Sequence, residues 1–475
     1  MHVFLLYCVF FASTVVPRVE WRGPSTVENL VRNGVPAVVM GSPATSWPAL
    51  QRWNPPRLEA LAPTMNNVYA SVQSSNFVYA SAVGGEDDAR ATYSLVNMSA
   101  RDFFAAAAHG QRWVYYSAPL AVMFRDAADA ARADLTGPSG GPEQLAALFG
   151  RRRGSAGRCD LDAVMNTSGG VGSVWCVRSA GAVAVRYGRA AAVRDDVENI
   201  MWVGAPGVTT NAHFDTVHNF FVQLRGAKRF RLIAPTPHAI GALRLHSKLH
   251  TSRRQSQVDV GDEAVAQSLA RGGSAVEDVE LVPGEVLYIP PFHFHHVRAL
   301  GTPRASPPAV SLSVWSSAEP EHAAIDAAEA IAVPFETNWE RPRRRAAAAA
   351  FVWRIVAQLH AERAAPAPRI VVAELLLPRY AGSASPRGNA TAASAAACTV
   401  ADRTLATKVQ RRADQVAAAF GRVPTRARLL YLLDYVEVVA AWAEDSKDDD
   451  ALRCFFAAAL RACSATRRSR SRGEL

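Results

Sequence analysis

Cysteine is scarce in this chain, with six in 475 residues. They form neither the clustered pairs of a zinc-finger module nor a spacing that reads as a disulfide framework. In an oxidising compartment Cys159 could still pair with Cys176, as could two of Cys398, Cys454 and Cys463. No internal repeat is visible, which argues against a solenoid or propeller. Charged residues are 20% against 49% hydrophobic, so the chain can bury a large core and is not of disordered composition. The net charge of +10 could suggest nucleic acid. Much of the excess, however, sits in short runs (Arg151 to Arg153, Arg343 to Arg345, and Arg467 to Arg472), and no aromatic-basic RNA-binding signature accompanies them. Such runs read as solvated loops and a basic tail, and a nucleic-acid partner is only weakly supported.

The first residues need a separate reading. Val3 to Val16 is apolar, too short to span a bilayer comfortably and about right for a signal-peptide core, although Met1-His2 supplies no basic n-region. Residues 1–17 are therefore expected to be a signal peptide or an anchor, with entry into the secretory pathway and the ER lumen. The alternatives are a buried N-terminal strand in a cytoplasmic protein, or membrane anchoring. The sequons at Asn97, Asn166 and Asn389 are compatible with a lumenal chain, and the terminal Arg-Gly-Glu-Leu only loosely resembles a retention signal.

From residue 20 to about 135 short apolar runs alternate with turn residues. Strands are expected at Pro36 to Met40, Asn67 to Val72 and Phe77 to Ala82, and a helix near Arg101 with Ser99 as its N-cap. Residues 136–173 are rich in Gly, Ser and Arg and read as an irregular insertion. Strands dominate 174–235 and 279–316, separated by a loop with one short helix. Residues 341–475 change to Ala-rich helical segments, including Ala346 to Leu359, Leu405 to Phe420, Leu429 to Trp442 and Ala451 to Cys463. A Pro/Ser/Ala-rich linker interrupts them. The apolar stripes of these helices could pack on the preceding domain or form a homodimer. The order of elements predicts a mainly β fold, a barrel or sandwich core at 20–340 with a helical C-terminal region.

Chemistry concentrates in two segments. His213 and Asp215 are two apart, so on an extended strand both side chains leave one face, as two ligands of a single metal must. A third nitrogen would complete a two-histidine, one-carboxylate set that leaves three positions of an octahedral iron(II) open, a better match to iron than to zinc. Downstream, Val282 to Val297 offers His293, His295 and His296; the first two share strand parity and the third opposes them, so spacing does not choose between His293 and His295. Lys228, Phe230 and Leu232 share one face of another strand, with Arg229 and Arg231 on the other. If the Phe230 face is inward, Lys228 is costly to bury unless it meets an anion. If it is outward, the arginines flank a surface ion pair.

These segments resemble the JmjC-domain family, in particular its small protein hydroxylases. The similar stretches are Trp202-Val-Gly with Thr210, His213-Phe-Asp215, Asn219-Phe-Phe-Val-Gln with Gly226-Ala-Lys228, Arg254 to Asp259, Pro283 to Pro290, His295-His-Val and Ser311-Leu-Ser-Val-Trp315. The resemblance covers roughly residues 25 to 340. It implies a double-stranded β-helix (the cupin jelly roll) and an iron(II)- and 2-oxoglutarate-dependent dioxygenase. His213, Asp215 and His295 would hold the metal, and Lys228, Thr210 and Asn219 the 2-oxoglutarate cosubstrate. His293, Ser313 and Trp315 would line the pocket, Ser313 standing where some members carry an asparagine. A protein or peptide side chain is the implied substrate, to be hydroxylated with release of succinate and CO2. Lysine demethylation, hydroxylation of tRNA and a non-catalytic binding scaffold are the other readings.

Overall fold

A computed structural model describes residues 15–76, 93–110, 112–145, 197–250, 252–302, 305–380 and 400–470. The expected strand at Phe77 to Ala82, most of the 136–173 insertion, the interrupting linker at 383–397 and the apolar leader up to residue 14 lie outside these residues. So do Cys159, Cys176, Cys398, Asn166 and Asn389. Among the described residues no helix is long and apolar enough to cross a membrane.

Among the described residues thirteen strands build two sheets. In chain order they are β1 (Arg18–Glu20), β2 (Ala37–Met40), β3 (Thr64–Ser71), β4 (Ser94–Ser99), β5 (Trp113–Pro119), β6 (Val197–Gly204) and β7 (Thr209–His213). They continue as β8 (His218–Arg225), β9 (Lys228–Ile233), β10 (Val276–Leu281), β11 (Val286–Ile289), β12 (Phe294–Ala299) and β13 (Ala309–Ser316). The larger sheet runs β1-β2-β11-β8-β13-β6-β5-β3-β4 and the smaller β10-β9-β12-β7. From β6 onwards the chain changes sheet at every step except from β9 to β10: β8 lies in the larger and β9 in the smaller, although two residues separate them. Gly226 makes that crossing at φ +66, where a Cβ would stand 3.1 Å from the Ala309 Cα, so the turn requires glycine.

Between the sheets lies a small apolar layer that includes Val38, Phe221, Phe230, Leu232, Leu287 and Ile289. The Phe230 face of β9 is therefore inward. Its outward arginines are indeed paired, Arg229 with Glu280, and Arg231 with Asp278 and Glu263 at 2.8 and 2.9 Å. The chain enters this layer at Val16, which is buried there, while the Pro17 carbonyl accepts from the Val38 N–H.

The fold is not mainly β, as the sequence reading expected: close to half of it is helical. Short helices such as Pro24–Asn33, Pro55–Leu61 and Ala128–Asp134 fill the N-terminal half, where brief apolar runs had read as strands and turns. Proline at the first turn starts two of them, where its missing N–H costs nothing. Ser99 caps the helix Ala100–His109 by accepting from the Asp102 N–H. Two helices rather than one, Pro237–Leu243 and Glu263–Arg271, occupy the stretch between the two strand-rich segments.

Four longer helices follow at Arg341–Ala361, Arg403–Arg422, Thr425–Glu444 and Asp449–Arg470. Their apolar faces, with Phe351, Ile355, Phe420, Leu433 and Phe456 among them, pack against the outer face of the smaller sheet through Ala212, Phe214, Ile233 and Phe294. Each such fully buried side chain contributes about 1.5–3 kcal/mol. The alternation of β7 and β12 thus divides the work. Their outward residues dock the helices, and the residues between them face the barrel interior.

Candidate metal centre

Strand β7 ends at His213, and Asp215 follows two residues later with its carbonyl accepting from the Phe292 N–H at 2.7 Å. His295 lies on β12 directly opposite His213. The two imidazoles stand 4.2 Å apart between centroids, and His295 Nε2 is 3.6 Å from Asp215 Oδ2. One ligand atom from each of His213, Asp215 and His295 lies within 4.8 Å of the others, the one group of this kind among the described residues.

The two rings are oriented alike. His213 Nδ1 is 2.8 Å from the Asn211 carbonyl and His295 Nδ1 is 3.1 Å from the His293 carbonyl. Each Nδ1 therefore carries the proton and donates it, which leaves each Nε2 lone pair for a metal. Burial and the neighbouring His213 push His295 down to about 4, so it is a neutral ligand at ordinary pH. This donor set fits a divalent iron: two imidazoles with free Nε2 lone pairs, one carboxylate on an open side, and no thiolate.

His293 is buried beside the site, held down to about 3 by burial and then by His295, and its backbone carbonyl orients the His295 ring. His296 faces the opposite side of β12, with Nε2 at 4.0 Å from Asp259 and its backbone opposite Arg231.

A bulge brings Thr210 to the same side. Between the pairs Thr210–Val297 and His213–His295, β7 advances three positions where β12 advances two, so two β7 positions of unlike parity both face inward. Thr210 shares a hydrogen bond with the Tyr115 hydroxyl, and the Tyr115 ring stacks on Trp202 at 6.0 Å. Trp202 donates from Nε1 to Ser313 Oγ at 2.9 Å, which occupies that hydroxyl. Asn219 is buried with its Oδ1 unpartnered, and Trp315 stands opposite it with Nε1 also unpartnered.

Lys228 is 3% exposed with its ammonium 5.0 Å from the centroid of Phe221, and no carboxylate among the described residues pairs with it. Burial alone pushes it down to about 7. Leu232 stands opposite His295, and Lys228 lies four residues back along β9, about 13 Å of strand away. A buried cation at one end of the barrel and three metal-type ligands at the other suit a small dianion that bridges them.

A model of the cupin-like domain matches residues 24–322. The chain belongs to that family. Within it, this JmjC-type cupin is similar to JmjC domain-containing protein D of Dictyostelium discoideum, 34% identical over 106 residues (22% of this chain, 23% of that protein). It is also similar to lysine-specific demethylase 8 of Danio rerio, 31% identical over 106 residues (22% and 25%). HSPB1-associated protein 1 of Bos taurus is 27% identical over 132 residues (27% and 26%). The matched segments span about a quarter of each relative.

Tyr115 and Trp202 carry weight here that the sequence did not assign. Tyr115 lies 98 positions before His213 in an ordinary alternating strand, and only the pairing of β5 with β6 brings it to Thr210. The cupin also ties its centre to the helical region. The segment after Leu243 reaches β7 through Gln255 and Ser256: Ser256 N–H donates to the Ala212 carbonyl at 2.7 Å, Asn211 Nδ2 to the Ser256 carbonyl at 2.8 Å, and Gln255 bridges to His213. That segment is held in turn by Glu437 of the helix Thr425–Glu444. The Glu437 carboxylate accepts from the Lys248 backbone N–H at 2.7 Å, Arg379 Nη1 at 3.0 Å and the Tyr380 hydroxyl at 2.8 Å.

Proposed function

We propose that this cupin is an iron(II)- and 2-oxoglutarate-dependent dioxygenase that hydroxylates a protein side chain, with release of succinate and CO2. The observation that carries the reading is the pairing of a two-histidine, one-carboxylate set with a buried lysine that meets no carboxylate among the described residues. His213, Asp215 and His295 would hold the metal, whose chemistry when bound is the activation of O2 with 2-oxoglutarate as electron donor. The chain's own residues do the positioning. Lys228 and Thr210 anchor the distal carboxylate, Tyr115 and Trp202 fix Thr210 and the adjoining wall, and the apolar layer of Phe221, Phe230 and Leu232 keeps water from the anchored end. The Asn211 and His293 carbonyls hold the Nδ1 protons of both imidazoles.

Demethylation of a lysine is the second reading, favoured by the printed name of one relative. Succinate formed by the purified, iron-supplied chain over a peptide library tests the first; formaldehyde released in step with succinate would mark the second. If metal and 2-oxoglutarate bind but no succinate forms with any peptide, the protein is a binding scaffold instead.

A further inference from the structure

A row of aromatic rings crosses the larger sheet from its middle to one edge. Trp315 on β13, Trp202 on β6, Tyr115 on β5 and Tyr69 on β3 sit on four neighbouring strands, and Tyr93 stands just before β4, the last strand of the sheet. Consecutive ring centroids are 6.2, 6.0, 6.3 and 5.1 Å apart. Tyr115 and Tyr69 are direct cross-strand partners and so share a face. Trp202 packs against the apolar layer between the sheets, so this face looks into the barrel. Among the described residues every other run of ring contacts includes phenylalanine or histidine. This row is built of tyrosine and tryptophan alone, the aromatic side chains that give up an electron most readily.

The row meets the candidate metal centre at Tyr115. Its hydroxyl is hydrogen-bonded to Thr210 on the opposite sheet and feels the negative charge of Asp215. From there one arm runs through Trp202 to Trp315, and the other runs through Tyr69 to Tyr93 at the sheet edge. Tyr115 is buried, whereas Tyr69 and Tyr93 are only half-buried, so the outer arm leads from the barrel towards solvent. Electron transfer weakens steeply with distance, and every step along this arm is a contact between neighbouring rings. An oxidant formed at the centre without a substrate to consume it would otherwise attack the side chains that wall it in.

We propose that Tyr93, Tyr69 and Tyr115, with Trp202 and Trp315 as an inner arm, form a conduit that carries electrons one at a time from a surface reductant of the ascorbate type to the metal centre. It works when oxidant forms there with no peptide to hydroxylate. The source of that oxidant rests on the oxygenase reading. Turnover without peptide then balances: O2, 2-oxoglutarate, two electrons and two protons give succinate, CO2 and water, while ascorbate loses those electrons and protons and becomes dehydroascorbate. The test supplies the oxidant independently. The full-length chain is loaded with iron(II) without oxygen and given one equivalent of hydrogen peroxide, which takes up two electrons and two protons to form two waters. Samples frozen at intervals are read by electron paramagnetic resonance, with ring-deuterated tyrosine to identify the radical. The wild type should show a tyrosyl radical that ascorbate removes. Tyr69→Phe keeps the ring but not the oxidisable phenol, and thermal melts establish that it folds. In this variant the radical should stay on Tyr115 and Trp202, where ascorbate no longer removes it, and mass spectrometry should find added oxygen on the two indoles. Its succinate yield with a peptide substrate should match that of the wild type. Four results overturn the conduit: no tyrosine or tryptophan radical in the wild type, equal quenching by ascorbate in Tyr69→Phe, the same radical in His295→Ala, or iron that does not bind. A Tyr69-dependent radical with peroxide, but no succinate from O2 and 2-oxoglutarate, would instead overturn the oxygenase reading and leave the conduit standing.

Discussion

Replacing Glu437 by alanine probes the link between the helical region and the metal centre. The side chain is fully buried, and so is its partner Arg379, whose side chain is 2% exposed. Removal leaves the guanidinium, among the described residues, with only the Asp434 carboxylate at 3.5 Å, a long contact that does not replace one at 3.0 Å. The Tyr380 hydroxyl and the Lys248 N–H lose this acceptor as well. Breaking a buried pair on one side costs about 3–5 kcal/mol, and the lost hydrogen bonds fall within that figure because all three donors share one carboxylate. Chemical denaturation should therefore show a loss of about 3–5 kcal/mol for Glu437→Ala. Glu437→Gln, which keeps an acceptor, should lose less. The second consequence is local. Lys248 belongs to the segment whose Ser256 and Gln255 brace β7, and the Asn211 carbonyl in that strand orients the His213 ring. Below the unfolding transition, the folded Glu437→Ala protein should bind Mn(II) about tenfold more weakly by calorimetry, the lower range for loss of an orienting contact. A destabilisation below about 1 kcal/mol, the scale of an exposed pair, would refute the buried-pair argument. Unchanged Mn(II) affinity in a destabilised variant would refute the mechanical link to His213.

Three histidines separate in one experiment. Iron content after reconstitution should fall to background for His295→Ala and persist for His293→Ala and His296→Ala, since only the His295 ring stands with His213 and Asp215; iron retained by His295→Ala would undo the ligand assignment. Lys228 predicts a pH signature. Its folded value of about 7 lies below the ordinary 10.5, so between these the unfolded chain binds more protons and stability rises with pH. Without an anion, melting temperature should climb from pH 7 towards 10, and Lys228→Met should flatten the climb. Added 2-oxoglutarate with Mn(II) should stabilise the protein more at pH 6.5 than at pH 9.5, and equal stabilisation at both would remove Lys228 from the anion site.

Local pattern carried much of this protein. The alternation in Lys228, Phe230 and Leu232 determined that the lysine joins whichever face those residues take, and the opposed parity of His295 and His296 set them on two sides of one strand. Ser99 and the Ala- and Leu-striped segments after 340 marked their helices, because capping and helical periodicity are properties of a few consecutive residues. Which face is inward was decided only by the second sheet closing over it. The choice of His295 rested on resemblance until β12 paired with β7. Thr210 and His213 share a side only because of a bulge, which an unpaired strand does not reveal. The mixed helical content escaped for a similar reason: short helices such as Pro55–Leu61 span too few turns for their period to show, and neighbours decide them. Tyr115 and Glu437 were silent in the sequence, since their roles depend on partners 57 or more positions away, and residues that distant meet only through sheet pairing and helix docking.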